Sequence, residues 1–195
     1  TQGGFRVPDG SVQTSAAVAG RAPVADSGQK GCWDTDGQAI SCANTGHDGE
    51  SQAGVDWPAP RFSVNGDGTV TDNLTGLDWL QDADCFGVQT WDSALDEVAS
   101  LNNGQRTCTN YTAGTHDDWR LSNVREILSL VDYGEFLPAI AIGHPFVNLQ
   151  TNWYWTSTTG ADPTHQAWLV NMANGDALRR DKTTERLVWP VRDSE

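Results

Sequence analysis

Apolar residues recur at helical spacing in two segments of the chain. Thr90 is a typical N-terminal capping residue, and the apolar positions after it follow the i, i+3, i+4, i+7, i+10 spacing of one helix face. These positions are Trp91, Ala94, Leu95, Val98 and Leu101. A second helix is predicted to begin at Ser122 or Asn123, because Glu126 stands three residues beyond Asn123 as in a capping box. Gly134 is predicted to end this helix. Its apolar stripe consists of Val124, Ile127, Leu128 and Val131.

Short runs of β-branched, aromatic and alternating residues predict strands on both sides of these helices. Residues 68–72 and 77–81 are predicted to pair around a turn at residues 73–76. The later strands are predicted at residues 153–158, 167–172 and 187–191. One strand pair, two helices and then several strands form an α+β order.

Residues 1–60 differ from the remainder of the chain. They are rich in Gly, Ala, Ser, Gln and Asp, and they show no helical or alternating pattern longer than a few positions. Such a segment alone buries too little apolar surface to offset its ordering entropy. We therefore expect an irregular N-terminal arm over residues 1–60 and a folded domain over residues 61–195.

The charge balance excludes two classes of partner. The chain has 195 residues, of which 26 are acidic and 12 basic, and its formal net charge is −14. Nucleic-acid binding needs a basic face, and anionic membranes attract Lys/Arg clusters. No apolar run approaches the roughly 20 residues of a membrane span. We therefore expect neither a nucleic-acid partner nor membrane insertion.

The chain begins like a processed secreted protein, and its cysteines agree with that. Its first residues include neither an initiator Met nor a leader pattern, as expected if a signal peptide has been removed. Cys32, Cys42, Cys85 and Cys108 form an even set without a CxxC pair, which argues against zinc-knuckle or thioredoxin chemistry. Three disulfide connectivities are open, and pairing of neighbours is the simplest. Disulfides indicate a secreted or cell-surface protein, whereas four reduced thiols would indicate the cytosol.

Six motifs occur in the order found in a known family. They lie at residues 65–79, 90–95, 118–121, 125–130, 154–158 and 188–192. Over residues 62–192 the chain thereby resembles the Lcl C-terminal domain family, named for the end domain of a bacterial collagen-like surface adhesin. The resemblance implies a C-type-lectin-like fold, with two helices packed on short antiparallel sheets. It also implies that the strands within residues 69–80 pair near the strand at residues 187–192.

The chain departs from the family pattern at two points. Ser122 stands where the family usually has Pro, which loosens the entry of the second helix. Trp189 and Pro190 stand where the family usually has Cys. Because this end-strand cysteine is absent, the resemblance implies that Cys85 pairs with Cys108.

Asn65, Asp67 and Asp72 form a candidate calcium loop. Their oxygen-bearing side chains lie close together in sequence with glycines between them, which suits a hard cation. The segment lacks the twelve-residue EF-hand pattern and its closing Glu. A Gly/Asp-rich turn that satisfies its own backbone explains the same residues. Asp34 and Asp36 present the same two alternatives, and calcium is the only cofactor that the sequence suggests.

Aromatic residues in the late strands are candidates for sugar binding. Tyr154 is predicted to face away from its neighbours Trp153 and Trp155, because side chains alternate along a strand. Trp155 is expected in the core, whereas Trp153 and Trp168 either pack in the core or offer a platform for a sugar ring.

The polar segment over residues 171–182 holds the only basic cluster of an acidic chain. Its candidate ligand residues are Asn171, Asn174, Asp176, Arg179, Arg180 and Lys182. In lectin-like folds this late region forms the usual ligand face, and arginine forks there suit a sulfated or carboxylated glycan. A solvated hairpin with internal Asp–Arg pairs explains the same residues.

Catalytic chemistry has weak support in the sequence. Arg120 and Glu126 suggest either a catalytic ion pair or a charge-assisted bond that holds the second helix, and the structural interpretation is favoured. The resemblance also extends at a distance to formylglycine-generating enzymes, which need a redox cysteine pair late in the domain. No cysteine follows Cys108, so this activity is disfavoured.

The sequence therefore predicts a non-enzymatic, secreted or cell-surface binding module. Its expected partner is a glycan or a surface polymer, bound in the manner of an adhesin. The alternative is a structural subunit of an extracellular filament or sheath, assembled as a homo-oligomer through residues 1–60 by strand addition.

Overall fold

The computed structural model describes residues 24–112 and 114–194. Within these ranges the chain forms three helices and twelve short strands. The helices are α1 (Asp48–Ser51), α2 (Trp91–Asn102) and α3 (Val124–Ser129). The strands are β1 (Cys32–Trp33), β2 (Ala39–Ile40), β3 (Phe62–Val64), β4 (Thr69–Asp72), β5 (Leu77–Leu80), β6 (Val88–Gln89), β7 (Arg120–Leu121), β8 (Trp153–Thr159), β9 (Gln166–Asn171), β10 (Ala177–Asp181), β11 (Arg186–Leu187) and β12 (Pro190–Asp193). None of the helices in the described residues is long and apolar enough to cross a membrane.

Two five-stranded sheets organise the domain. Sheet A has the order β10-β9-β8-β11-β6, and sheet B has the order β3-β4-β5-β12-β7. The pairings within both sheets are antiparallel except that of β11 with β8, which is parallel. A separate antiparallel pair, β1 and β2, lies in the N-terminal segment. The predicted α+β class is confirmed, with one more helix than expected.

Local capping signals place both predicted helices correctly at their N-terminal ends. The Thr90 hydroxyl accepts a hydrogen bond from the Ser93 N–H at the start of α2. Asn123 and Glu126 form the full capping box at the start of α3. The predicted end at Gly134 is wrong, because α3 stops at Ser129. Beyond it, Val131 pairs with Ile140 in an isolated bridge, and this contact takes the chain away from the helix axis.

The strand pair at residues 69–80 is confirmed, but the last predicted strand is not one strand. Residues 187–191 divide between β11 in sheet A and β12 in sheet B. Val188 and Trp189 connect the two sheets and are 1% and 0% exposed. In sheet B, Val191 lies opposite Trp79, which confirms that the end strand pairs with the first strand pair.

A cluster of aromatic rings fills the space between the two sheets. The Trp189 ring lies 4.8 Å from Phe146, 5.3 Å from Trp79 and 5.7 Å from Tyr154, measured between ring centroids. The Trp189 Nε1–H donates to the Leu80 carbonyl at 2.8 Å. Edge-to-face contacts of this kind stabilise aromatic pairs beyond the area that they bury. Trp189 therefore joins sheet A, sheet B and the loop that carries Phe146.

Tyr154 and Trp155 point to opposite faces of β8, yet both are 0% exposed. Side-chain direction alternates along β8 as expected, but burial does not alternate with it. β8 is the central strand of sheet A, and both α2 and α3 contact it. A strand covered on both faces buries successive side chains.

Residues 24–60 pack against the domain rather than extending away from it. The Tyr133 N–H donates to the Ser27 carbonyl at 2.9 Å. The Arg61 guanidinium lies over the Trp57 ring at 4.3 Å from its centroid. Residues 1–23, the remainder of the predicted arm, lie outside the described residues.

Both disulfides join neighbouring cysteines. Cys32 is bonded to Cys42, and Cys85 is bonded to Cys108. The simplest of the three connectivities is confirmed, and so is the Cys85–Cys108 pair implied by the family resemblance. Each bridge closes a short loop and so limits the entropy of the unfolded chain.

Candidate functional site

The β9–β10 hairpin carries most of the residues that the sequence predicts as ligand contacts. Trp168 and Arg179 lie directly opposite each other in the ladder. The Arg179 guanidinium lies over the Trp168 ring at 5.7 Å from its centroid, and it donates to the Asp162 carbonyl at 2.5 Å. Trp168 is thus partly covered by a cation rather than bare.

The other aromatic candidate, Trp153 on β8, lies on the opposite face of sheet A from Trp168. Trp153 lies opposite Asn171 in the β8–β9 ladder. Trp168 is three positions from Asn171 along β9, and side chains an odd number of positions apart face opposite sides of a sheet. Trp153 is half-buried and packs against the core. The Asn171 side chain accepts a hydrogen bond from the Ala173 N–H at 3.0 Å, which stabilises the hairpin turn. The structure therefore does not bring Trp153 and Trp168 onto one surface.

Two further candidates belong to the hairpin turn. The Asn174 side chain donates to Asp176 Oδ2 at 2.7 Å and accepts from the Asp176 N–H at 3.1 Å. Lys182 lies at the other end of β10, six residues from Asp176, or about 20 Å along an extended strand. The candidates at the turn and those at the far end therefore cannot contact the same small ligand.

Lys182 stacks on an aromatic residue that the sequence assigns to a helix face. Its Nζ lies 3.9 Å from the centroid of the Trp91 ring. The Trp91 Nε1–H donates to the Thr156 carbonyl at 2.8 Å, which fixes the ring against β8. Apolar periodicity marks Trp91 as a core residue, so this second cation–π pair could not be found from the pattern.

Among the described residues, Arg180 on β10 and Arg186 on β11 hydrogen-bond only to carbonyl oxygens of adjacent residues. Arg180 Nη1 donates to the Arg179 carbonyl at 2.9 Å, and Arg186 Nη1 donates to the Glu185 carbonyl at 2.6 Å. In the part of the chain that the structure describes, neither guanidinium forms an ion pair with a carboxylate. The Arg186 Nε atom is buried without a hydrogen-bond partner. We call Arg179, Arg180, Lys182 and Arg186 the basic segment. Arg186 lies outside the predicted polar segment at residues 171–182.

The Asp181 carboxylate, which lies within the basic segment, has partners other than arginine. Asp181 Oδ1 accepts from the Gln166 side chain at 2.9 Å and lies 3.4 Å from His165 Nε2. The internal Asp–Arg pairs expected for a solvated hairpin do not form among the described residues. Among the described residues, the charges of Arg180 on β10 and Arg186 on β11 are therefore not neutralised by a carboxylate.

The candidate calcium residues take part in two local hydrogen-bond networks. Asp67 Oδ1 accepts from the Thr69 N–H at 2.9 Å, and its Oδ2 lies 3.0 Å from His116 Nε2. Burial acts to raise the pKa of Asp67, but hydrogen bonds from Thr69 and His116 outweigh it and lower that pKa. The Asn65 side chain donates to the hydroxyls of Thr69 and Thr71 at 2.8 and 2.9 Å.

Asp72 belongs to a different environment from Asp67. It is 0% exposed, and both of its oxygens accept from Arg61, at 2.6 and 3.1 Å. Across residues 24–112 and 114–194, no group of three or more His, Cys, Asp or Glu side chains is placed to hold a metal ion. Calcium at Asn65, Asp67 and Asp72 stays a prediction from the sequence.

Arg120 and Glu126 form the ion pair suggested by their spacing. Arg120 Nη1 donates to Glu126 Oε2 at 2.7 Å, and the same oxygen accepts from the Asn123 N–H at 2.7 Å. The Arg120 Nη2 atom also donates to Asp193 at 2.9 Å. These contacts hold α3 to β7 and β12, which supports the structural interpretation of the pair.

Comparison with known proteins agrees with the order of the six motifs. No curated protein matches the chain significantly. The family model described as the Lcl C-terminal domain matches residues 68–192, which is more than half of the chain. The matched range runs from the turn before β4 to β12 and includes the hairpin and the basic segment. The chain belongs to the Lcl C-terminal domain family.

Proposed function

We propose that this chain is a non-enzymatic, secreted or cell-surface module that binds an acidic glycan or surface polymer through the basic segment. Family membership indicates a surface-associated domain. The two disulfides agree with an oxidising compartment outside the cytosol. In this proposal the two sheets and the helices form a C-type-lectin-like fold whose ligand face is the far end of the β9–β10 hairpin.

The guanidinium groups of Arg180 and Arg186 carry this proposal. They lie on a chain with a formal net charge of −14, yet their side chains contact main-chain carbonyls and not carboxylates. A guanidinium fork binds carboxylate or sulfate oxygens in a bidentate manner, which an ammonium cannot match. The surrounding negative charge would repel an acidic polymer elsewhere on the surface and so favour its binding at the basic segment.

The cation–π pairs define how a sugar would be recognised. Arg179 covers Trp168 and Lys182 covers Trp91, so each ring already has a cation on one face. These cations are held in place by the rings and lose less entropy on binding than mobile side chains do. Charge recognition by preorganised cations therefore fits this surface better than stacking of a neutral sugar on a bare indole.

Replacing Arg179 and Arg180 together by alanine is expected to abolish binding to an acidic polysaccharide. Two of the four cations that would contact the polysaccharide are then missing. The loss of the Arg179–Trp168 contact should cost little stability, because the pair is partly exposed. Binding to immobilised heparin as a sulfated probe would be measured at two salt concentrations, since screening weakens contacts between exposed charges.

Arg125→Ala is the matched control for this experiment. Arg125 is an exposed arginine on α3 that lines the groove beside Val24 and Tyr133, and its removal changes the net charge in the same direction. The melting temperature of the double variant should stay close to that of the native protein. Unchanged heparin binding in the double variant, or an equal loss in Arg125→Ala, would contradict the assignment of the site.

Assembly through the N-terminal arm is the second candidate function. Val24, where the described chain begins, is 65% exposed, and Val55 and Tyr133 are 42% and 50% exposed. Val24 and Tyr133 line the same groove beside α3. Exposed apolar side chains at the base of an arm suit contact with a neighbouring copy.

Removing residues 1–23 distinguishes this second function from the first. Because Ser27 already bonds to Tyr133, a chain that begins at Val24 should keep the docked segment and fold normally. If the arm joins copies, the full chain forms polymers in light scattering and electron microscopy and the shortened chain stays monomeric. Equal particle mass for the two chains would exclude assembly through residues 1–23.

A further inference from the structure

A cavity of about 260 Å³ lies where the N-terminal segment meets the loop after α3. Its walls include Asp26, Lys30, Gln52, Asp56, Trp57 and Asp132. It therefore combines residues from one end of the chain with Asp132, which follows α3. The cavity is separate from the basic segment on the β9–β10 hairpin and has the opposite charge, since carboxylates outnumber the single ammonium of Lys30.

The walls of this cavity are held by specific contacts. The Trp57 Nε1–H donates to the Asp26 carbonyl at 3.1 Å, which fixes the indole beside the N-terminal segment. Gly28 has φ +79°, and a Cβ at this position would collide with the Asp132 carboxylate. Only glycine lets the segment approach Asp132 so closely. The cavity is thus preformed rather than a gap between loosely packed loops.

Asp132 is a buried carboxylate that uses only one of its oxygens. It is 8% exposed, and its Oδ1 accepts from the Gly134 N–H at 2.8 Å. Within residues 24–112 and 114–194, no cation lies within ion-pair distance of it, and its Oδ2 accepts no hydrogen bond. Burial raises the pKa of Asp132, although more distant Lys30 and Arg61 act to lower it. The Oδ2 atom is not sealed from solvent, so it can accept a hydrogen bond from a ligand in the cavity.

Asp26, which belongs to the N-terminal segment, also lines the cavity and also uses one carboxylate oxygen. Its Oδ1 accepts from the Gly28 N–H at 2.7 Å, and in the described part of the chain its Oδ2 accepts no hydrogen bond. Two carboxylates that each offer one oxygen match a group with several N–H donors and a positive charge. An ammonium group has three such donors, and its hydrogen bonds to carboxylates are charge-assisted.

The other residues that line the cavity indicate what kind of molecule would carry the ammonium group. One face of the Trp57 indole is covered by Arg61, and the ring itself forms a wall of the cavity. The Gln52 amide nitrogen donates to the Gly49 carbonyl at 3.3 Å and has a second N–H, and this N–H and the Lys30 ammonium can bond hydroxyl oxygens. The volume of about 260 Å³ is slightly below that of pockets for drug-sized ligands, which run from roughly 300 to 1,000 Å³. An indole wall, hydroxyl-binding groups and this volume fit one sugar ring better than an extended alkyl chain.

We propose that the cavity at Asp26, Trp57 and Asp132 binds a single sugar residue that carries a free ammonium group, a hexosamine. The ammonium donates to Asp132 Oδ2 and Asp26 Oδ2, the sugar ring lies against Trp57, and ring hydroxyls bond to Gln52 and Lys30. This site does not depend on the basic segment, and it takes a cationic ligand where that segment takes an anionic one.

Titration of the full chain with D-glucosamine tests the proposal. Spectra of the ¹⁵N-labelled protein would be followed at about pH 6, where the amine is protonated. The indole N–H signal of Trp57 reports the site directly, because it belongs to the wall of the cavity. N-acetyl-D-glucosamine, which has the same ring but no charge, is expected to bind at least about tenfold more weakly, a difference of about 1.4 kcal/mol.

The variants Asp132→Asn and Asp26→Asn each remove one negative charge from the cavity and keep a side chain of nearly the same shape. Asn can still accept from the Gly134 N–H in Asp132→Asn and from the Gly28 N–H in Asp26→Asn, so both should fold. Each is expected to weaken glucosamine binding at least about tenfold. Asp96→Asn, an exposed position on α2, removes the same charge elsewhere and should leave binding unchanged.

Three results would overturn the proposal. Equal affinity for glucosamine and N-acetylglucosamine would exclude recognition of the ammonium. Unchanged binding in both Asp variants, or no shift of the Trp57 signal in the native protein, would place the ligand elsewhere. If Nα-acetyl-lysine amide binds as tightly as glucosamine, the cavity recognises an ammonium on an alkyl chain, such as a peptide lysine, and not a hexosamine.

Discussion

Trp189→Ala is expected to lower the free energy of unfolding by about 3–5 kcal/mol, the usual cost of truncating a buried aromatic residue. Trp189 is 0% exposed and lies against Trp79, Phe146 and Tyr154. Its removal leaves a cavity between the two sheets that these rigid rings cannot refill. It also leaves the Leu80 carbonyl without its hydrogen bond from the indole.

Urea unfolding followed by far-UV circular dichroism would measure this loss, because the change in tryptophan number complicates fluorescence. Trp33→Ala is the matched control, since Trp33 is 44% exposed and its loss should cost well under about 1 kcal/mol. Trp189→Phe should fall between the two, because it keeps a ring in the cluster and loses the hydrogen bond. A Trp189→Ala protein as stable as Trp33→Ala would show that the two sheets do not depend on this ring.

Arg61→Met is expected to destabilise the protein by about 3–5 kcal/mol, because it leaves a buried carboxylate without its cation. The Arg61 and Asp72 side chains are 6% and 0% exposed and are joined by two hydrogen bonds. Arg61 Nη2 also donates to the Ser129 carbonyl at the end of α3, at 2.7 Å. The methionine keeps much of the apolar packing against Trp57, so the loss reflects the charge.

A double-mutant cycle separates the ion pair from other effects of the substitution. In Arg61→Met combined with Asp72→Asn the buried charge is gone, so part of the lost stability should return. Asp193→Asn is the control, because the Asp193 side chain is 79% exposed and its pair with Arg120 should contribute less than about 1 kcal/mol. Strictly additive losses in the double variant would show that Arg61 and Asp72 act independently.

The parts of the fold that depend on nearby residues could be predicted from the sequence. The N-terminal ends of α2 and α3 are set by Thr90 and by Asn123 with Glu126, each within three residues of the group that it caps. The turn at residues 73–76 likewise joins β4 to β5 as expected. Such signals need no knowledge of tertiary structure, because donor and acceptor are close in sequence.

Features that depend on distant residues could not be predicted in this way. The division of residues 187–191 between two sheets depends on which strands lie beside them, and the pattern of apolar residues is the same for one strand as for two. Lys182 meets Trp91 across 91 positions of the chain, and Asp132 meets Gly28 only because the N-terminal segment docks there. Arg179, Arg180 and Lys182 stand out in the sequence by their charge, whereas neither Arg186 nor the cavity at Asp132 has a local signal.

The passage of the chain through Val188 and Trp189 makes the two sheets one thermodynamic unit. Only these two residues separate β11, within sheet A, from β12, within sheet B, and both are buried. Neither sheet can open without moving the strand that completes the other, so partial unfolding of one sheet alone is a high-energy event. The protected amides of sheet A and sheet B should therefore exchange with solvent at the same global rate, and a protease that needs a locally opened chain should find neither sheet open by itself.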